Sequence, residues 1–300
     1  GENPTTMAKS TGLGIIELAT VFENLKPDLV LTVADRFETI ATAIAASYMN
    51  IPVAHTQGGE TTGSIDESVR HAITKLSHIH FVTTKKSSAN LIRMGENPKN
   101  VYLTGCPSID LLTKINLKIS KKLFRENRGT GIIIDDKKKY LVVLQHPVTT
   151  EYGEGLKQIQ KTLMAVHNVG IQTIWLWPNV DAGSDDISKG LRLHRERYNT
   201  PIQFIRNYTP EDYARVINNC ACLIGNSSSA LREGSFLGVP SVNIGTRQNS
   251  REHGDNVINV NHSIKDIENA IYAQVKHGKF QKSKLFGSGN SGLKIAKILS

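Results

Sequence analysis

Carboxylates, two histidines and one run of small polar residues carry the chemistry this chain could perform. Asp35 and Arg36 follow the apolar run 29–33, His55 ends the next run, and Gln57, Glu60 and Asp66 come soon after it. Further along, His146 follows 140–144, Asn179 and Asp181 follow 173–177, and Gly225-Asn226-Ser227-Ser228-Ser229 follows Cys222-Leu223-Ile224, with Glu233 and Arg247 behind it. Paired carboxylates at a cleft can serve as general acid and base when burial or mutual repulsion separates their pKa values. A strand that feeds a helix through small residues offers backbone N–H groups and a helix dipole to a phosphate. Glu233, one turn on, could accept from two vicinal ribose hydroxyls. Each has a plainer alternative: an ordinary Ser N-cap, Asp66 as another N-cap, Asp35 as a turn residue, His146 as a satisfied core imidazole and Arg247 as a surface cation.

These residues gain interest from the elements that must position them, because they sit at the ends of apolar runs. A helical stripe (Leu13, Ile16, Leu18, Val21, Phe22, Leu25) follows a polar opening loop, and the continuous apolar run 29–33 predicts a strand buried on both faces of a parallel sheet. Helices over 37–49 and 66–76 alternate with strands at 51–55, 79–82 and 101–103. Residues 110–139 loosen into helix plus linker, after which strands recur at 140–144, 173–177, 203–205, 222–224 and 239–244. Alternating strands and helices predict a doubly wound α/β architecture: two Rossmann-like domains in tandem, with a ligand cleft at the carboxyl ends of their strands. The expected domains are 1–110, 111–283 as the nucleotide-binding domain, and a segment 284–300 whose helix returns to the first.

The chain has 300 residues, 39% hydrophobic and 21% charged, which fits a globular protein. No apolar run reaches the roughly 18 residues of a membrane span and no signal-peptide pattern opens it, so a cytoplasmic location is expected, with no membrane partner. Cys106, Cys220 and Cys222 lack zinc or disulfide spacing, so no metal is expected. The net charge of +9 comes from dispersed lysines apart from Lys137-Lys138-Lys139, which suits an anionic small substrate and carries no nucleic-acid motif. Neither a P-loop nor a nicotinamide fingerprint is present, and no cofactor is expected.

Five separated strings, VADRFETIATAIAASYMNIPVAHTQGGETTGSIDESVRHAITKLSH, GCPSID, LQHPVTT, WPNVDAGS and IGNSSSALREGSFLGVPSVNIGTRQ, occur here in one order. The sequence resembles the hydrolysing UDP-N-acetylglucosamine 2-epimerases over nearly its whole length, on their sialic-acid branch, and is similar to the epimerase domain of the animal bifunctional epimerase/N-acetylmannosamine kinase. The resemblance implies a GT-B-like fold and a metal-independent reaction. In that reaction UDP leaves C1 as the C2 proton is lost, and water adds to the resulting 2-acetamidoglucal to release N-acetylmannosamine for sialic acid synthesis. By the same resemblance Asp35 and Asp66 are catalytic acids and His146 lies near the diphosphate. Ser227 and Ser228 cradle phosphate, Glu233 contacts ribose, and Arg36, Asn179 and Arg247 belong to the substrate site.

Gln57 stands where the family pattern has a catalytic Glu; Gln cannot exchange a proton near neutral pH, so Glu60 or water would cover that step, or Gln57 positions substrate. The family also opens with a strand and a Gly/Arg-rich loop ahead of the first residue here, so the N-terminal domain is expected to lack its first βαβα, and residues 1–300 alone to be weakly active or inactive. Rival readings are a 2-epimerase acting on UDP- or GDP-linked 2,4-diacetamido-2,4,6-trideoxyhexose, a GT-B glycosyltransferase and a non-catalytic nucleotide-sugar binder. Relatives imply a homodimer or homotetramer. Lys189 and Arg192 form either an allosteric basic stretch or a solvated helix face.

Overall fold

The structure, a computed structural model, describes residues 3–120, 122–126, 129–179 and 181–300. Its contacts divide the chain into one unit running to Asp110 and taking up Leu285–Ser300, and a second made of Leu111–Lys284.

In the first unit α1 (Pro4–Leu25) starts well before the expected stripe. Asn3 and Thr6 form a reciprocal capping box and Pro4 supplies the pre-set φ of a first helical residue, so the opening residues wind instead of looping. The stripe is also rotated: Phe22 is buried with Ile15 and Leu18 against Val30, Ala45, Ala46, Ile51 and Val53, whereas Leu13 and Ile16 are 61% and 64% exposed. Then come β1 (Val30–Val33), α2 (Phe37–Tyr48), β2 (Val53–Thr56), α3 (Asp66–Leu76), β3 (Ile79–Val82), α4 (Lys85–Arg93) and β4 (Val101–Leu103), and the division between the units falls within α5 (Pro107–Lys114). The strands pair in parallel in the order β1-β2-β3-β4. β1 is thus an edge strand, and the expectation that both its faces are buried fails: Leu31 and Val33 point outward, 45% and 53% exposed. β2, flanked on both sides, is buried throughout.

The second unit holds α6 (Leu123–Glu126), β5 (Thr130–Gly131), β6 (Leu141–Leu144), α7 (Gly155–Val169), β7 (Thr173–Leu176), α8 (Ser184–Arg197), β8 (Ile202–Ile205), α9 (Pro210–Asn219), β9 (Cys222–Gly225), α10 (Ser228–Leu231), α11 (Glu233–Leu237), β10 (Ser241–Ile244), β11 (Val257–Val260) and α12 (Ile264–His277). Lys121, Asn127 and Arg128 of the expected linker, and Val180 of the WPNVDAGS string, lie outside the described residues. The sheet order is β11-β10-β9-β6-β7-β8-β5, parallel except for β5, which runs antiparallel to β8. Leu141, Val143, Trp175, Ile224 and Val242 fill its centre. The order reverses between β6 and β9, the place where crossovers diverge and leave a crevice at the strands' carboxyl ends.

The last helix, α13 (Ser291–Leu299), belongs to the first unit. Its Ile295 packs with Ala54 and Phe81, and the Asp110 carboxylate accepts from the N–H groups of Ser291 (2.9 Å) and Gly292 (2.7 Å), meeting the positive end of the helix. Among the described residues no helix is long and apolar enough to cross a membrane, and no group of three His, Cys, Asp or Glu side chains is placed to hold a metal ion.

Candidate active site

β1 ends in a turn through Ala34, whose φ of +62° lies in the left-handed region. Two bonds hold it there: the Ala34 N–H donates to the Thr56 carbonyl (3.1 Å) and its carbonyl faces His55 Nε2 (2.8 Å). His55 Nδ1 faces the Thr74 hydroxyl at 3.4 Å, and burial pushes the imidazole down to about 4, so the ring is neutral at pH 7 and donates through Nε2. The ring is a brace between β2 and the turn that presents Asp35.

Asp35 ion-pairs with Arg70 of α3, whose side chain is fully buried, while Arg70 Nη1 donates to the Glu60 carbonyl at 2.7 Å. One guanidinium therefore ties the end of β1 to the loop after β2. A buried cation is costly unless paired, and Asp35 supplies the pair. Asp66 lies four residues before Arg70 and so on the same face of α3. It accepts from the Ser64 hydroxyl (2.8 Å) and is the first helical residue, with Ile65 at the N-cap, so the N-cap reading of Asp66 fails. Glu60 is buried, its carboxylate accepting from Thr83 Oγ1 at 2.7 Å.

Gln57 takes φ +64°, and its Nε2 faces Cys106 Sγ at 3.7 Å. Its Oε1 is buried with no hydrogen-bond partner among the described residues. The loop needs glycine at Gly59, where φ is +76° and a Cβ would stand 2.3 Å from the Ser87 carbonyl oxygen. Arg36 is clamped by Glu38 through two 3.1 Å contacts and lies over the Phe37 ring.

In the second unit the expected residues gather where the strand order reverses. The Asn226 side chain accepts from the His146 N–H (2.7 Å) and donates to its carbonyl (2.8 Å), joining the ends of β6 and β9. The Asn226 carbonyl accepts from Arg247 Nη1 (3.2 Å) and Gln248 Nε2 (2.8 Å). Asn179 donates its N–H to His146 Nδ1 at 3.1 Å, so the neutral imidazole carries its proton on Nε2. Gly225, at φ +127°, permits the close approach of β9 to its parallel neighbour β6: a Cβ there would meet the Leu144 carbonyl oxygen at 2.1 Å.

Ser227 is the N-cap of α10, its hydroxyl accepting from the Ser229 N–H (3.3 Å) and facing Ser229 Oγ (3.1 Å), which in turn meets the Tyr213 hydroxyl at 2.6 Å. The plain N-cap reading thus holds for Ser227, while Ser228, half-exposed, opens the helix. The expected single helix is two: Arg232 breaks it at ψ −75°, and Glu233 begins α11 half-buried, with no ion pair among the described residues. Burial drives the Tyr213 phenol well above its ordinary value, with Glu233 adding to the shift, so Tyr213 stays a neutral phenol.

Sequence reasoning missed Arg70 and Tyr213, and read Asn226 only as one of the small polar run and not as the clamp on His146. Arg70 carried one usable signal, its spacing of four from Asp66 on an acid-opened helix, and Asn226 another, its place directly after a strand-ending glycine.

Over residues 1–300 the sequence matches the family described as UDP-N-acetylglucosamine 2-epimerase. It is 34% identical over 98% of its length to the UDP-N,N'-diacetylbacillosamine 2-epimerase (hydrolyzing) of Legionella pneumophila, spanning 76% of that protein. It is 30% identical over 95% of its length to the UDP-N-acetylglucosamine 2-epimerase of Neisseria meningitidis, spanning 73% of it. The structure resembles the crystal structure of the Methanocaldococcus jannaschii UDP-GlcNAc 2-epimerase in complex with UDP-GlcNAc and UDP, with a TM-score of 0.81 at 19% identity, over 98% of this chain and 81% of that one. The fold is α/β and GT-B-like, with two Rossmann-like units.

Proposed function

The chain belongs to the UDP-N-acetylglucosamine 2-epimerase family, and we propose that it is a hydrolysing nucleotide-sugar 2-epimerase that converts a UDP-linked 2-acetamido sugar and water into the free C2-epimer and UDP. The observation that carries this reading is the meeting of His146, Asn179, Arg247 and the Ser-rich turn at the β6–β9 reversal, where a nucleotide diphosphate binds in open α/β sheets. In this reading His146 donates from Nε2 to the diphosphate, the α10 turn with Ser228 receives phosphate, and Glu233 accepts from the ribose hydroxyls. Asp35 and Asp66 move the protons. The Arg70 ion pair fixes where the Asp35 carboxylate sits, and in this reading Asp35 is the group that accepts the C2 proton. Asp66 then assists departure of the UDP oxygen, giving the 2-acetamidoglucal, to which water adds at C1 as a proton returns to C2 from the opposite face. Gln57, lacking an exchangeable proton, positions the acetamido group through its buried amide.

The family match supports UDP-N-acetylglucosamine as the first substrate reading, with N-acetylmannosamine for sialic acid synthesis as its product. A second reading, UDP-N,N'-diacetylbacillosamine, is favoured by the higher identity to the Legionella protein. Incubation with each nucleotide sugar in D2O, read by NMR, tests both. The expected result is UDP plus a free sugar deuterated at C2 from one of the two, with Asp35→Asn lowering the rate by about 10²–10⁴-fold. A C2-epimer that keeps its UDP, or sugar transferred to an added acceptor, would sink the hydrolytic reading.

A further inference from the structure

Away from the strand ends, the second unit has a cavity of 340 Å³ in the groove where α7 meets α8, within the size range of small-molecule sites. The two helices touch closely at Gly190, where a Cβ would stand 2.4 Å from Ile159 Cγ2. The floor of the groove is apolar, with Met164 and Leu193, and its rim is cationic, with Lys157, Lys161 and Arg197; no acid lines it. Lys157 pairs with the exposed Glu154 at 3.5 Å, while among the described residues Lys161 and Arg197 have no ion-pair partner. One wall is a flat aromatic stack: the His194 and Tyr198 rings lie 4.8 Å apart at 26°, and His194 is fixed from behind because its Nε2 and the Nδ1 of His167 both meet the Thr200 hydroxyl at 2.8 Å. Burial pushes His194 down to about 4, so at neutral pH it adds an aromatic face and no charge.

We propose that this groove is a second ligand site, which takes a small planar aromatic ring bearing a phosphate. The ring lies on the apolar floor against Tyr198, and the anion meets Arg197 and Lys161. A flat ring matches the stacked wall, and a guanidinium fork with a neighbouring ammonium matches phosphate oxygens. None of the groove's residues belongs to the carboxylate site or the β6–β9 reversal, so the proposal stands apart from the assigned chemistry.

Titrating the whole chain with phenyl phosphate, and separately with benzyl alcohol and with inorganic phosphate, tests it through the NMR signals of the Met164 methyl and the Tyr198 ring. Phenyl phosphate should shift both signals saturably, at least tenfold more tightly than either control. The double substitution of half-buried Lys161→Glu with exposed Arg197→Glu should weaken it at least tenfold without altering the unfolding midpoint by more than a few degrees. Leu193→Trp, which fills the floor, should abolish the shifts. Equal response to either control, no saturable response, or unchanged affinity in the charge-reversed protein would overturn the site.

Discussion

In the first unit the strands follow one another from β1 to β4 in a single direction, and the acidic loops are held by a buried guanidinium; in the second the order reverses, and the loops are held by an uncharged amide. Arg70 and Asn226 do the same mechanical task, each joining two chain segments distant in sequence. They differ in what happens when they are removed. Loss of Arg70 strands a carboxylate, whereas loss of Asn226 strands one N–H and one carbonyl. In the first unit the joint is an ion pair, and in the second it is made of neutral hydrogen bonds.

The sharpest way to break this contrast is Arg70→Met. Leaving Asp35 without its buried partner should cost about 3–5 kcal/mol, read as a shift in the urea midpoint, and Asp35→Asn in the same chain should recover part of it. If the single and double variants unfold alike, the bridge is not what holds the loops.

Acid acts on the brace behind that bridge. His55 sits at about 4 against an ordinary 6.5, so the unfolded chain takes up the proton first. The stabilisation is whole above about pH 6.5 and is lost progressively as pH falls toward 4, amounting to about 3 kcal/mol. His55→Asn should flatten the stability curve over that window. His194 in the second unit titrates in the same sense, and His194→Gln provides the matching control.

Asn226→Ala is expected to be milder, about 2 kcal/mol for the two backbone groups of His146 left in a buried setting, with weakened UDP binding measured by calorimetry. The smallest effect belongs to Gln57→Glu. The side chain has one weak contact, to Cys106, and an unpartnered oxygen, so kcat should change less than tenfold; a larger gain would mean that the missing acid limits turnover.

Much of the second unit was legible because its strands are short apolar runs ended by a residue of a different kind: Leu144 before Gln145-His146, Ile224 before Gly225-Asn226. β11 was missed because Val257-Ile258-Asn259-Val260 interrupts its apolar run with an asparagine, and β5 because two residues, Thr130 and Gly131, carry no period at all. Partners far away in the chain decide such strands. The same holds for Arg70: nothing within one helix distinguishes a solvated arginine from one enclosed by a loop ten residues earlier and a carboxylate thirty-five residues earlier. β1 shows the converse, since a run of Leu, Val and Thr announces a strand but not whether a neighbour covers it.

The Asn226 side chain holds both the N–H and the carbonyl of His146, and its own carbonyl is shared by Arg247 and Gln248. His146 therefore has no slack of its own. Any displacement of its backbone must carry the end of β9 with it, which makes it a slow coordinate, whereas exposed side chains change rotamer within nanoseconds. Entry and exit of an anion at this place would then be timed by the side chains around the turn, with the histidine acting as a fixed landmark against which they close.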